Sequence, residues 1–239
     1  MISPITVFSA NLIDSSASLQ SADADNLANI YDSDYFSLWQ SSSAVHAFSA
    51  VFATQISADS LVLYNTNAAS VKIEYKQNSS DADFILFSSF ENISGPDIFL
   101  AFPSVLTAAA VRFTFTCAEN VFYIGGLNLC KKVISLDNVL SSLSPSSYFK
   151  GGHHYLADGQ LVVWQDFSKM SFAVTLNNVP QSVAKNLLKL MRGNAFLTYA
   201  LYGAFDASFC RQFALSEPPV INAERKSGLY TFEFTLLER

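Results

Sequence analysis

A mainly β protein with one helix is predicted by three features of this 239-residue sequence. Runs of strand length alternate apolar and polar residues along most of the chain. One stretch, 180–192, instead carries apolar residues at helical spacing. The stretch 136–152 carries Ser-Ser-Leu-Ser-Pro-Ser-Ser at 141–147 and then Gly151-Gly152, which is turn and linker chemistry. The expected organisation is an N-terminal antiparallel β-sandwich or barrel over 1–135, a linker over 136–152, and a smaller β-sandwich or barrel with one packed helix over 153–239.

The strands follow in order. Residues 51–56 and 60–64 are short apolar runs. Val71-Lys72-Ile73-Glu74-Tyr75-Lys76 alternates strictly, placing Val, Ile and Tyr on one face and the charged residues on the other. Residues 83–90 form another apolar run, and Val111 to Cys117 alternates again. A hairpin turning near Glu119-Asn120 is expected to join this strand to 121–124 and 127–130, with Gly125-Gly126 between them predicting a bulge or bend. Short strands at this spacing indicate an antiparallel sandwich or barrel. In the second part, 160–167 and 171–176 read as two strands and 196–202 as a third. In the helix, Val183, Leu187, Leu190 and Met191 make one stripe, Asn178 is the expected cap, Pro180 suits a first turn, and Gly193 suits the close. The last strand alternates from Gly228 to Arg239, with Tyr230, Phe232 and Phe234 toward a core and Thr231, Glu233 and Thr235 outward.

Composition limits the function classes. Half the residues are hydrophobic and only 14% are charged, against about 25% in soluble domains. Twenty-one Phe and ten Tyr add large apolar groups. Either permanent assembly buries part of this surface, or a well-filled core carries a Ser/Asn exterior. Residues 1–130 hold three Lys/Arg against twelve Asp/Glu, and residues 131–239 hold eleven against eight. The shift supports two domains and argues against nucleic-acid recognition by the first, while the second shows no clustered basic stripe. No stretch is long and apolar enough for a spanning helix: Ile98 to Phe115 is interrupted by Pro103, Ser104 and Arg112. The N-terminus lacks the pattern of a signal peptide, so a cytoplasmic origin is expected. Cys117, Cys130 and Cys210 are odd in number, without C-x-x-C spacing, and are read as reduced thiols.

Candidate sites are weighed against simpler readings. His153-His154 point to opposite faces of an extended segment and cannot readily share one metal ion. Asp23, Asp25, Asp32 and Asp34 crowd a loop-rich stretch, but their spacing is not that of an EF-hand, so solvated acidic turns are the first reading and calcium the second. His46 sits in a strand-like setting and reads as a satisfied histidine. Tyr31, Tyr35, Phe36 and Trp39 form either core or a platform for a sugar face, with Trp39 the core anchor. No nucleophile motif, phosphate loop or dinucleotide fingerprint occurs, so no catalytic, cofactor-binding or metal residue is assigned. The sequons at Asn78 and Asn92 carry little meaning without a leader.

Residues 1–130 resemble the galactose-binding-like jelly roll of the discoidin, or coagulation-factor type C, superfamily. The resemblance rests on Asn26-Leu27, Asp32-Ser33-Asp34 and Leu38-Trp39-Gln40-Ser41, on 61–67, and on Val111-Arg112-Phe113-Thr114-Phe115 with Ile124-Gly125-Gly126-Leu127-Asn128-Leu129. The terminal disulfide pair of secreted members is absent. Residues 153–239, with Trp164-Gln165-Asp166-Phe167, the helix and the closing strand, are similar to the tail-tube-like domain of phage distal tail and minor tail proteins. This resemblance implies a structural virion component: a homo-oligomeric ring that contacts other tail proteins, with the jelly roll as decoration or glycan contact, and no membrane insertion. The alternative is a carbohydrate-binding module protein without catalytic activity.

Overall fold

A computed structural model describes residues 5–14, 17–23, 25–32, 36–43, 45–136, 139–155, 161–193, 197–200, 210–223 and 228–238. In the first part lie β1 (Thr6–Phe8), β2 (Ser18–Ser21), a 3-10 turn (Leu27–Ile30), β3 (Trp39–Ser41) and β4 (His46–Thr66). They are followed by β5 (Ala68–Lys76), β6 (Ile85–Phe90), β7 (Ile98–Cys117), β8 (Phe122–Cys130) and β9 (Lys132–Ser135). Then come β10 (Leu140–Tyr155), β11 (Leu161–Val179), α1 (Gln181–Gly193), β12 (Leu197–Ala200), β13 (Cys210–Leu215), β14 (Val220–Ala223) and β15 (Tyr230–Glu238). The protein is mainly β, with antiparallel sheets and a single α-helix among the described residues, as the sequence predicts. It forms two compact units, one of Thr6–Ser135 with Thr198–Arg211, the other of Met1–Ile5, Leu136–Leu197 and Gln212–Arg239.

In the first unit the strands run in the order β3-β8-β4-β7-β5-β6, with β2 also on β4. The long strands β4 and β7 pair from His46 with Phe115 to Leu63 with Ile98, and their register slips between Val51 and Ile56 and between Ala58 and Ser60. Such irregularities let a strand turn a corner and cover its own core. Accordingly Phe48 and Ala50, before the slips, share one apolar cluster with Leu61 and Leu63 after them. Pro103 lies in β7 between Ala101 and Leu106, where the ladder is broken and its missing N–H costs least.

The segment Leu61-Val62-Leu63-Tyr64 is buried on both faces. Leu61 and Leu63 join the main core, while Val62 and Tyr64 pack with Phe8, Cys130 and Cys210. On this second face Asn128 donates from Nδ2 to Tyr64 Oη (3.2 Å) and Thr198 Oγ1 (3.3 Å). A polar side chain there needs such partners, because burial without them costs about 1–3 kcal/mol. Burial also pushes the Tyr199 hydroxyl and the Cys130 thiol above their usual ranges, with neighbouring Cys210 adding to the second.

Two expectations for this unit are corrected. Residues 111–130 do not form a hairpin: β4 lies between β7 and β8, and Cys117 pairs with Ala68. The connection crosses the β4–β5 corner, where Asn67 Nδ2 donates to Val121 O (2.9 Å) and Asn67 Oδ1 accepts from Tyr123 N (2.9 Å). Gly125-Gly126 produces no bulge either, since Tyr64 opposite Gly126 and Thr66 opposite Ile124 continue the register of Leu61 with Leu129. Fully buried Ile124, Leu127 and Leu129 hold that register against the glycines' intrinsic looseness.

The alternation at 71–76 is observed, but Glu74 is covered rather than solvated. Pairing of β5 with β7 sets Arg112 opposite Glu74. Arg112 Nε and Nη2 both donate to Glu74 Oε2 (2.9 Å each), and Lys72 Nζ reaches Oε1 (2.9 Å). Arg112 also lies over the Phe84 ring, 4.5 Å from its centroid. The Arg112 hydrogen bonds, opposed by desolvation and assisted by Lys72, hold the Glu74 carboxyl below its ordinary range. A depressed carboxyl stabilises the fold above its unfolded pKa, and this contribution disappears as pH falls through the folded value. Glu74→Ala is therefore expected to cost about 1–3 kcal/mol near pH 7. In urea titrations the difference from the parent should shrink below about pH 4.

In the second unit β11 pairs with β10 and β15, and β15 pairs also with β13 and β14. Phe172, Val174 and Leu176 stand opposite Leu236, Phe234 and Phe232, and all six are buried. The closing strand follows its alternation in part: Phe232 and Phe234 face inward and Glu233 is exposed, whereas Tyr230, Thr231 and Thr235 are all half-buried. In α1 the buried positions are Ala184, Leu187 and Met191, with Val183 and Leu190 only half-buried, so the stripe is rotated from the predicted one. Asn178 is not the cap. It adopts φ 56° at the end of β11, and the Pro180 carbonyl accepts the first helical bond from Ala184 N (2.9 Å).

The segment 140–152, read as linker, instead forms most of β10. It extends the β11 ladder from Leu140 opposite Leu176 to Tyr155 opposite Leu161, and the two strands predicted at 160–176 are one. Pro145 is tolerated because β10 is the end strand, with β11 its one partner among the described residues.

Candidate functional site

The site begins with Trp39, whose indole is fully buried at the start of β3. Its ring meets Phe48 and Phe122 edge-on, at 5.5 and 5.8 Å between centroids. Trp39 Nε1 donates to Asp23 O (2.8 Å), which ties the 21–23 turn to the core. The same turn is held from β4, where Ser21 Oγ donates to Ala47 O (2.7 Å) and accepts from Asp23 N (3.2 Å). The Asp23 carboxylate then accepts from Ser42 N and Ser43 N, both at 3.1 Å. Hydrogen bonding, from the Ser41 side chain first and the Ser43 backbone next, holds the Asp23 carboxyl below its ordinary range.

Asn26 adopts φ 59°, a left-handed conformation that Asn tolerates, and opens the 3-10 turn Leu27–Ile30. Within that turn Asn29 Nδ2 donates to Leu38 O (3.1 Å). These ties hold open a cleft of about 580 Å³, lined by Asp23, Asp25, Asn26, Leu38, Gln40 and Ser42, with Ala22 and Val121 completing it. Asp25, Asn26, Gln40 and Ser42 are exposed and offer both donors and acceptors. Phe36, two residues before Leu38, is 90% exposed. The cleft is open and polar, and the exposed Phe36 ring stands two residues along the chain from its Leu38 wall, outside the lining itself.

The candidates named from sequence separate here. Trp39 is core, Tyr31 packs against the core, Phe36 is exposed, and Tyr35 lies outside the described residues. Asp23 and Asp25 line the cleft while Asp32 does not, and Asp34 lies outside the described residues. Asp23 spends one carboxylate oxygen on backbone N–H groups. Among the described residues no group of three or more His, Cys, Asp or Glu is arranged for a metal ion. His46 stacks on Phe122 at 5.7 Å, and its Nδ1 is 3.1 Å from Ser41 Oγ, which fits a satisfied histidine. His153 and His154 occupy β10 opposite Val163 and Val162, and their side chains lie outside the described residues. Sequence reasoning does not single out Gln40 or Val121 as lining residues, because only the pairing of β3 with β8 brings their segments together.

No protein-family model matches the chain, and no curated protein sequence matches it. Solved structures similar to about half of the chain include carbohydrate-binding modules, an F5/8 type C domain and longer enzyme chains such as a Ruminococcus gnavus GH29 fucosidase. Chitosan-binding module 1 of a chitosanase/glucanase from Paenibacillus sp. IK-5, solved as a selenomethionine-labelled point mutant, is 15% identical, with TM-score 0.44, covering 51% of this chain and 98% of the module. The F5/8 type C domain of a Bacteroides fragilis protein is 14% identical, with TM-score 0.44, covering 53% and 98%. CpGH89CBM32-6, produced by Clostridium perfringens, is 15% identical, with TM-score 0.44, covering 51% and 98%.

Proposed function

We propose that this chain is a non-catalytic carbohydrate-binding protein that takes a saccharide in the cleft lined by Asp25, Asn26 and Gln40, with the Phe36 ring packing on the sugar. The observation that carries this reading is the set of exposed hydrogen-bonding side chains at Asp25, Asn26 and Gln40 that line one open cleft. A sugar presents hydroxyls to the polar groups and an apolar C–H face to the ring. Rigid anchoring through Trp39 and Asp23 lowers the ordering cost of binding. A glycan array followed by calorimetry tests the reading. Phe36→Ala is expected to weaken a detected saccharide about fivefold, corresponding to roughly 1 kcal/mol for an aromatic contact, with the melting temperature unchanged. Silence across a broad array would sink it.

The second reading is a structural component of a phage tail tip or related particle, made in the host cytoplasm and resident in the virion tail. In it residues 1–135 contact glycans or neighbours, and residues 153–239 assemble into a ring with other tail proteins. A specific observation favours it: the second unit has an apolar groove of about 480 Å³ beside Val220, which is 54% exposed. Electron microscopy of the concentrated protein is expected to show closed rings, and a chain that stays monomeric would count against this role.

A further inference from the structure

The exposed face of α1 carries Lys185, Lys189 and Arg192 at i, i+4 and i+7, and the helix contains no acidic residue. All three cations are exposed, and none has an ion-pair partner among the described residues. Alongside them runs the groove of about 480 Å³, whose apolar lining includes Leu188, Met191, Leu215, Pro218 and Ile221, with Arg192 and Glu217 its charged members. Unpaired cations beside an apolar trough call for a partner that is both acidic and apolar.

The first unit carries a surface of that description. Strand β6 is the end strand of its sheet and, among the described residues, pairs with β5 alone. Ile85 and Leu86, each 57% exposed, stand at its start, and Val105, 52% exposed, lies nearby in β7. Asp83 and Glu91, both exposed, bracket the strand. No Lys, Arg or Pro occurs from 85 to 90 to guard the edge, although such residues commonly protect exposed strand edges.

The geometry points to a head-to-tail contact between copies of this chain, in which the β6 edge of one copy seats against the α1 groove of the next. Leu86 enters the trough, and Asp83 and Glu91 meet Lys185, Lys189 and Arg192. The contact deepens the structural reading and rests on it. Because the two surfaces differ, the interface is heterologous and propagates into a ring or a filament. One strand edge and one groove bury less than a standard interface of about 1,600 Å², so the contact is weak and sensitive to salt.

Sedimentation of the full chain across a concentration series, with electron microscopy of the same samples, tests the contact by charge reversal. Lys185→Glu with Lys189→Glu, and separately Asp83→Lys with Glu91→Lys, are expected to weaken association at least tenfold while leaving the melting temperature near that of the parent. Mixing the two variants should restore association, because each supplies the complement the other lacks. Variants that each self-associate as strongly as the parent would overturn this contact and leave the ring reading standing. A parent that is monomeric at every concentration would overturn both. A monomeric parent that binds phosphatidylserine vesicles through Lys185 and Lys189 would assign the stripe to a membrane surface and likewise overturn the contact.

Discussion

Trp39→Ala is expected to destabilise the first unit by about 3–5 kcal/mol, the usual range for removing a large buried aromatic ring. The ring is completely buried between Phe48 and Phe122, so its removal leaves a cavity inside the aromatic part of the core. It also strips the Asp23 carbonyl of its indole donor and releases the turn that walls the cleft. Trp39→Phe refills part of the volume without restoring that hydrogen bond, and should recover part of the loss. Urea unfolding followed by far-ultraviolet circular dichroism measures both variants. A Trp39→Ala chain as stable as the parent would contradict the anchor role. Loss of saccharide binding in Trp39→Ala reports unfolding of the site, which is why Phe36→Ala is the informative binding variant.

Phe232→Ala is expected to have an effect of similar size in the second unit, about 3–5 kcal/mol. Phe232 is fully buried in β15, opposite Leu176 of β11 and Ile221 of β14. Because β15 pairs with β11, β13 and β14, a cavity there loosens three ladders at once. Exposed Glu233 provides the control: Glu233→Gln should fall within about 0.5 kcal/mol of the parent. Amide hydrogen exchange would localise the effect. Protection in β11 and β15 should fall in Phe232→Ala, whereas β4 and β7 keep theirs. Equal loss in every strand would refute a local effect of Phe232 on the ladders of β15.

The strands and the helix are legible because each buries one face, and a buried face writes its period into the chain. The alternation at 71–76, 111–117 and 230–236 and the helix near 181–193 are of this kind. Segments buried on two faces or lying at an edge are harder to read. Leu61 to Tyr64 shows as a continuous apolar run, but the run does not tell which two cores receive its faces. The polar, Pro-containing segment 140–152 reads as linker because an end strand needs neither a full apolar face nor every N–H. The hairpin expected at 111–130 fails for a different reason: proximity in sequence predicts pairing only until a third strand comes between.

The cleft is partly visible in the chain. Asp23, Asp25 and the exposed Phe36 belong to the acidic, aromatic stretch that composition marks. Which aromatic becomes core and which faces solvent depends on where β3 pairs with β8, and Trp39 settles it by reaching Phe48 and Phe122. The fold class, the inward face of most amphipathic elements and the lack of any recognised catalytic motif all follow from the order of residues alone. Three further properties emerge only on folding: Arg112 covers Glu74, Asn128 finds buried partners, and three helix cations come to flank an apolar groove. Each joins residues far apart in the chain, and periodicity carries information about neighbours only.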